Sequence, residues 1–236
     1  MATFDAQRMA KIVLRSTRHL PVRHEYREVD GAEYPHVSQR FYRQTTDALR
    51  AVGFRTLGDM EDGAVKATAV CDPRTFTRVM VDATGTTVAE FYHVAPTLKW
   101  RLVMLALRFP TKYLDFSSLG ENGTTYGTTN SPEKAVLPKP EWATRQHVPR
   151  NANPAEMYAQ HQQLLKGVVT PLHSFRNLPD VIRVQTEVRA RQRAHLEQIG
   201  WVTKDYLRVH GIPESQIEAV YDEVQRLVGE GFTVAS

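Results

Sequence analysis

Nine histidines and one cysteine are the first places to look for chemistry in this chain. No HExxH pattern and no i, i+4 histidine pair on a predicted helix occurs, so metal-ligand spacing is missing and no metal site is expected. Three residues have the types and positions for ligand contact: Arg78, His93 and Tyr126. Thr75–Val81 and Thr86–Val94 read as the two strands of a hairpin, which brings Arg78, Glu90 and His93 onto one small piece of sheet. A pocket lined there by Arg78, Glu90 and His93 would make His93 a general base. Strand alternation works against it, because Glu90 and His93 are three apart and point to opposite faces. The plainer reading is polar residues paired across strands. Tyr126 lies in the run Thr124–Thr129, whose hydroxyls could bind a polar ligand but also suit a strand without one.

Other chemistry-bearing patterns are weaker. Cys71 is followed by Asp72, which raises a thiol pKa, so a nucleophilic thiolate is not expected. One cysteine permits no intrachain disulfide and no thiol-rich zinc site. There is no G-x-S-x-G elbow. Gly120-Glu121-Asn122-Gly123 reads as a hairpin turn rather than a phosphate loop. Asp59, Glu61 and Asp62 lack the ligand and glycine spacing of a calcium loop, and read as a solvated acidic turn after a short strand Phe54–Leu57. No cofactor is implied.

A second kind of site is a charged face. Arg8, Lys11, Arg15 and Arg18 fall at i, i+3, i+7 and i+10 of a predicted helix from Phe4 to Arg18, with Ala6, Met9, Ala10 and Val13 opposite. That face could meet an anionic membrane or a partner, or the segment could serve as an organelle-targeting peptide. The alternative is a solvated helix packed through its small apolar side.

These residues need elements to hold them. Ser38 caps a predicted helix to Val52, with Phe41, Thr45, Ala48, Leu49 and Val52 on one face and Gly53 as the left-handed stop. A strand over Ala64–Cys71 precedes the 75–94 hairpin. A second hairpin, Tyr113–Leu119 and Thr124–Thr129, turns at Asn122-Gly123. Between the hairpins lies the most apolar run, Thr97–Lys112. A helix places Thr97, Arg101, Arg108 and Lys112 on one stripe. A strand sends Arg101 and Arg108 to opposite faces. The helix is favoured, and the run is too short and charged to span a bilayer. Residues 131–152 are Pro-rich and read as a connector. Asn153-Pro154 with Glu156 opens a helix whose inner face carries Met157, His161, Leu164 and Leu165. Further helices follow at about 180–199, after Thr203, and after Pro213.

The expected fold class is α+β: N-terminal helices, an antiparallel five- or six-stranded meander and a C-terminal all-helical segment. The expected domains are 1–130, a connector 131–152, and 153–236. Hydrophobic residues make up 42% and charged residues 24%, which is ordinary for a globular protein. A net charge of +4, spread thinly and without interleaved aromatics, argues against nucleic acid. No apolar signal segment is visible at the N-terminus, so a cytoplasmic location is expected. Three function classes remain: a binding or accessory protein for a protein or small molecule, a peripheral membrane-surface protein using the basic helix, and a metal-independent enzyme on a small polar substrate.

Overall fold

In the computed structural model the described residues are 5–17, 23–64, 74–97, 111–132 and 137–231. The elements in chain order are α1 (Ala6–Thr17), β1 (Tyr26–Val29), a 3-10 turn (Gly31–Glu33), α2 (Gln39–Ala51), β2 (Arg55–Asp62), β3 (Thr77–Val81), β4 (Val88–His93), β5 (Lys112–Leu119), β6 (Thr125–Thr129), β7 (Ala143–His147), α3 (Pro154–Leu165), α4 (Leu178–Gln198), α5 (Lys204–Val209) and α6 (Glu214–Gly229). Content is mixed α and β, with a helix at the N-terminal end and helices at the C-terminal end. The expected strand over Ala64–Cys71 and the helix or strand over Thr97–Phe109 fall largely outside the described residues, as do Arg18 and Cys71.

The strands form one seven-stranded sheet in sequence order, β1 to β7. This corrects the expectation of a purely antiparallel sheet of five or six strands. Neighbours are antiparallel from β1 to β6, but β6 and β7 are parallel, with Thr125 beside Ala143 and Thr129 beside His147. A parallel pair needs a crossover of about a dozen residues, and 130–142 supplies that length. The missed strands are the two edges, Tyr-Arg-Glu-Val and Ala-Thr-Arg-Gln-His. Edge strands are kept short and charged against stray pairing, so they carry little apolar alternation.

The second correction concerns Gly58-Asp59. The strand does not stop there, and Asp59, Glu61 and Asp62 form no turn. β2 runs on to Asp62 through a register shift between Thr56 and Gly58. Each acidic side chain takes its own partner: Asp59 with Arg78, Glu61 with Arg27, and Asp62 with His24. The shift brings Gly58 close to Leu178, and a Cβ there would lie 2.8 Å from Leu178 Cδ2.

Two compact units are present: His24–Glu133 with Glu141–Thr186, and Met1–Arg23 with Lys134–Pro140 and Glu187–Ser236. In the first, α2 and α3 cover one face of the sheet. Ser38 Oγ accepts from Phe41 N–H at 3.4 Å and starts α2 as expected. Gly53, at φ +93°, ends it and lets Phe54 N–H return to Leu49 C=O at 3.1 Å. Tyr42, Leu49, Phe54, Phe76, Met80, Phe91, Leu114, Phe116 and Met157 share the core beneath these helices. Gly31 is held close to it: a Cβ would lie 2.5 Å from Asp59 Oδ2 and 2.7 Å from the Phe76 ring. Gly31→Ala is therefore expected to lower stability by about 1–3 kcal/mol, read as a lower urea midpoint at unchanged slope.

The second unit is helical. Ala10, Val13 and Leu14 of α1 are buried with Leu196, Trp201, Leu207, Ile217, Val220, Val224 and Leu227. Thr203 caps α5 by accepting from Tyr206 N–H at 3.1 Å, and Gly211, at φ +80°, follows it.

Candidate functional site

Cross-strand register and alternation assign each strand residue to a face. On the face beneath α2 and α3 lie Arg78, Met80, Ala89, Phe91, His93, Leu114, Phe116, Ser118, Tyr126 and Thr128. The three residues proposed for ligand contact are all on this face, but spread along it. Arg78 donates from Nε and NH2 to both oxygens of Asp59, each at 2.7 Å, and lies 5.7 Å from the centres of the Tyr42 and Phe76 rings. His93 Nδ1 accepts from Ser38 N–H at 3.2 Å, at the start of α2. Its backbone N–H donates to the phenolic Oη of Tyr42, whose own proton goes to Phe76 C=O at 2.6 Å. Burial pushes the Tyr42 phenol up to about 12, so it stays a donor. Tyr126 is half-buried three strands from Arg78, in register with Ser118. His93 thus ties the start of α2 to the sheet, Arg78 also reaches Thr46 Oγ1 of α2 at 3.4 Å, and the three residues lie apart along the face.

Under α3 the same face holds a buried polar network. His161 is fully buried, with Nε2 3.0 Å from Ser118 Oγ and Nδ1 3.1 Å from Thr128 Oγ1. Ser118 Oγ is also 3.3 Å from Thr87 Oγ1. Beside it, Asp82 accepts from the N–H groups of Thr86 and Thr87 and, at 3.0 Å, from Tyr158 OH. A serine hydroxyl on an imidazole resembles a nucleophile and its base. Here Ser118 is 2% exposed and His161 0%, so no substrate reaches either. The sequence placed His161 on the inner face of its helix but gave no sign of these strand partners.

The opposite face is different. Over β3 and the start of β4 it is apolar, with Val79, Val81 and Val88 buried, and the first turns of α4 contribute buried Leu178, Val181 and Val184. Toward β5–β7 it becomes polar. One rung runs Glu90, Asp115, Thr129, His147 through three successive strand pairs. The next pairs Tyr92 with Tyr113, whose rings stack at 5.0 Å and 22°. Glu90, Tyr92, Tyr113, Asp115, Arg145 and His147 are all half-buried. Glu90 accepts from Gln185 Nε2 at 2.7 Å, and His147 Nδ1 is 2.9 Å from Ser131 C=O. Directly opposed residues bring their Cβ atoms to about 5 Å, and like charges there are destabilising. Two side-by-side carboxylates next to a stacked tyrosine pair therefore form the candidate site. His147 lies two strands from Asp115, with backbones about 10 Å apart, too far for a direct acid–base couple at the carboxylates.

On α1, Arg8, Ile12 and Arg15 are exposed, Ile12 by 50%, and Lys11 is half-buried. The opposite side, with Ala10, Val13 and Leu14, is committed to the helical core.

Compared with known proteins, the chain matches no family model, no curated protein and no solved structure. Among the described residues, no group of three or more His, Cys, Asp or Glu side chains is placed to hold a metal, and no helix is long and apolar enough to cross a membrane.

Proposed function

We propose that this is a binding protein whose ligand, a small organic cation such as an amine, sits on the sheet face formed by Glu90, Asp115, Tyr92 and Tyr113. The observation that carries the reading is the register pair Glu90–Asp115. Two carboxylates in register on one rung make this part of the face acidic, which suits a cation. The adjacent rings, 5.0 Å apart, offer an electron-rich surface to its methylenes or methyl groups. The chemistry-bearing groups of the other face support binding over catalysis, because His161 and Ser118 are sealed, His93 holds the start of α2, and Arg78 is engaged with Asp59 and Thr46.

The test is thermal denaturation with butylammonium, tetramethylammonium and butyrate as probes at equal ionic strength. The two cations are expected to raise Tm in a saturable way, through linkage to the folded state, and butyrate to leave it unchanged. Equal responses to all three would sink the reading.

A second reading, peripheral attachment to an anionic membrane, draws on exposed Ile12 between Arg8 and Arg15. It ranks lower on magnitude. Cations near such a surface contribute about 1 kcal/mol each, and the apolar side of α1 that would insert is already packed. Flotation with anionic vesicles at low and high salt decides it; salt-sensitive binding lost in Arg8→Gln/Arg15→Gln would support it.

A further inference from the structure

We propose that α3 is an acid-released flap, latched over the sheet by a neutral His161 and detached from it before the sheet itself unfolds. The geometry rests on a buried imidazole at this helix's contact with the sheet. α3 fully buries two side chains, Met157 and His161, whereas α2 buries Tyr42, Thr45, Thr46 and Leu49. One imidazole bridges Ser118 of β5 and Thr128 of β6, beside the Tyr158 ring, which lies 4.8 Å from Phe54 and 5.8 Å from Phe116. Further polar ties among the described residues are Tyr158 OH to Asp82 and Gln146 Nε2 to Gln160 Oε1 at 3.1 Å. Elements with few buried contacts open locally at lower free energy than the core.

Protonation works against the latch through burial rather than through lost hydrogen bonds. Both hydroxyls can rotate to accept from an imidazolium. What the charged ring loses is water, and its surroundings are neutral: Ser118 and Thr128 from the strands and the Phe116 ring, 6.1 Å away. From α3 itself the nearby titratable group is Tyr158, a phenol whose burial and contact with Asp82 keep it protonated. From the β3–β4 turn comes Asp82, which favours the charged ring but does not outweigh burial. Burial thus pushes His161 down to about 4 from an ordinary 6.5. The released helix takes up a proton below pH 6.5 that the latched helix refuses until about pH 4. Latching is therefore complete above pH 6.5 and is lost as pH falls through that window, with the opening equilibrium rising about 20-fold between pH 7 and pH 5.

The experiment is amide hydrogen exchange on the intact chain at pH 7 and pH 5, corrected for intrinsic rates. Residues 154–165 are expected to lose about 20-fold in protection while β3, β4 and β5 keep theirs. His161→Gln is expected to hold the same α3 protection at both pH values. The proposal is overturned if α3 and the sheet strands lose protection together, if α3 does not respond, or if His161→Gln keeps the pH response. Should that variant fail to fold, comparison of helix and sheet amides in the unaltered protein decides the matter by itself.

Discussion

Replacing Arg78 with methionine is expected to cost about 3 kcal/mol of folding stability, at the low end of the range for breaking a buried ion pair. The size follows from what stays behind. Asp59 is 11% exposed and receives both its short hydrogen bonds, 2.7 Å each, from this guanidinium. Without them its charge sits against Gly31 and the Phe76 ring with little water to replace the donor. Methionine restores the stem but neither the fork nor the cation over Tyr42 and Phe76. Arg78 is 24% exposed, which keeps the figure from the top of the range. Asp59→Asn, which removes the charge and keeps the shape, should cost less, and in the double variant the losses should fall short of additive. Urea unfolding at constant slope measures all three. A loss under 1 kcal/mol for Arg78→Met would show that the pair does not hold β2 to β3.

That Arg78 pairs with Asp59 was not legible in the sequence. Hairpin spacing set Arg78 on a strand and opposed Glu90 to His93, and the sheet keeps both features. Its partner, Asp59, was hidden because Gly58-Asp59 reads as a stop. Gly58 instead sits in a register shift, and β2 continues beyond it. Local signals of high specificity carried through: Ser38 and Gly53 around α2, Gly85 and Gly123 at positive φ in their turns, and the Asn153–Glu156 capping box. The edges β1 and β7 did not, because neither has an apolar period to read. The candidate site failed to show for a different reason. Glu90 and Asp115 are 25 positions apart, and a strand over 100–109 remained open between them. Until β4 and β5 are known to pair directly, nothing places the two carboxylates side by side.

The second large effect is expected at that pair. Glu90→Gln with Asp115→Asn removes both charges and should abolish cation binding, so that butylammonium no longer raises Tm. Glu90→Gln keeps an acceptor for Gln185 Nε2, so the tie between α4 and β4 is preserved. A Tm rise with butylammonium equal to that of the unaltered protein would mean that the carboxylates do not hold the cation.

The most direct measurement is an NMR titration with butylammonium on protein carrying labelled tyrosine, following the ring signals of Tyr92 and Tyr113. Saturable shifts in these two rings and in the amides of β4 and β5 are predicted, absent with butyrate and absent in the Glu90→Gln/Asp115→Asn variant. No saturable shift, or an equal shift in the variant, would contradict a cation site on this face of the sheet.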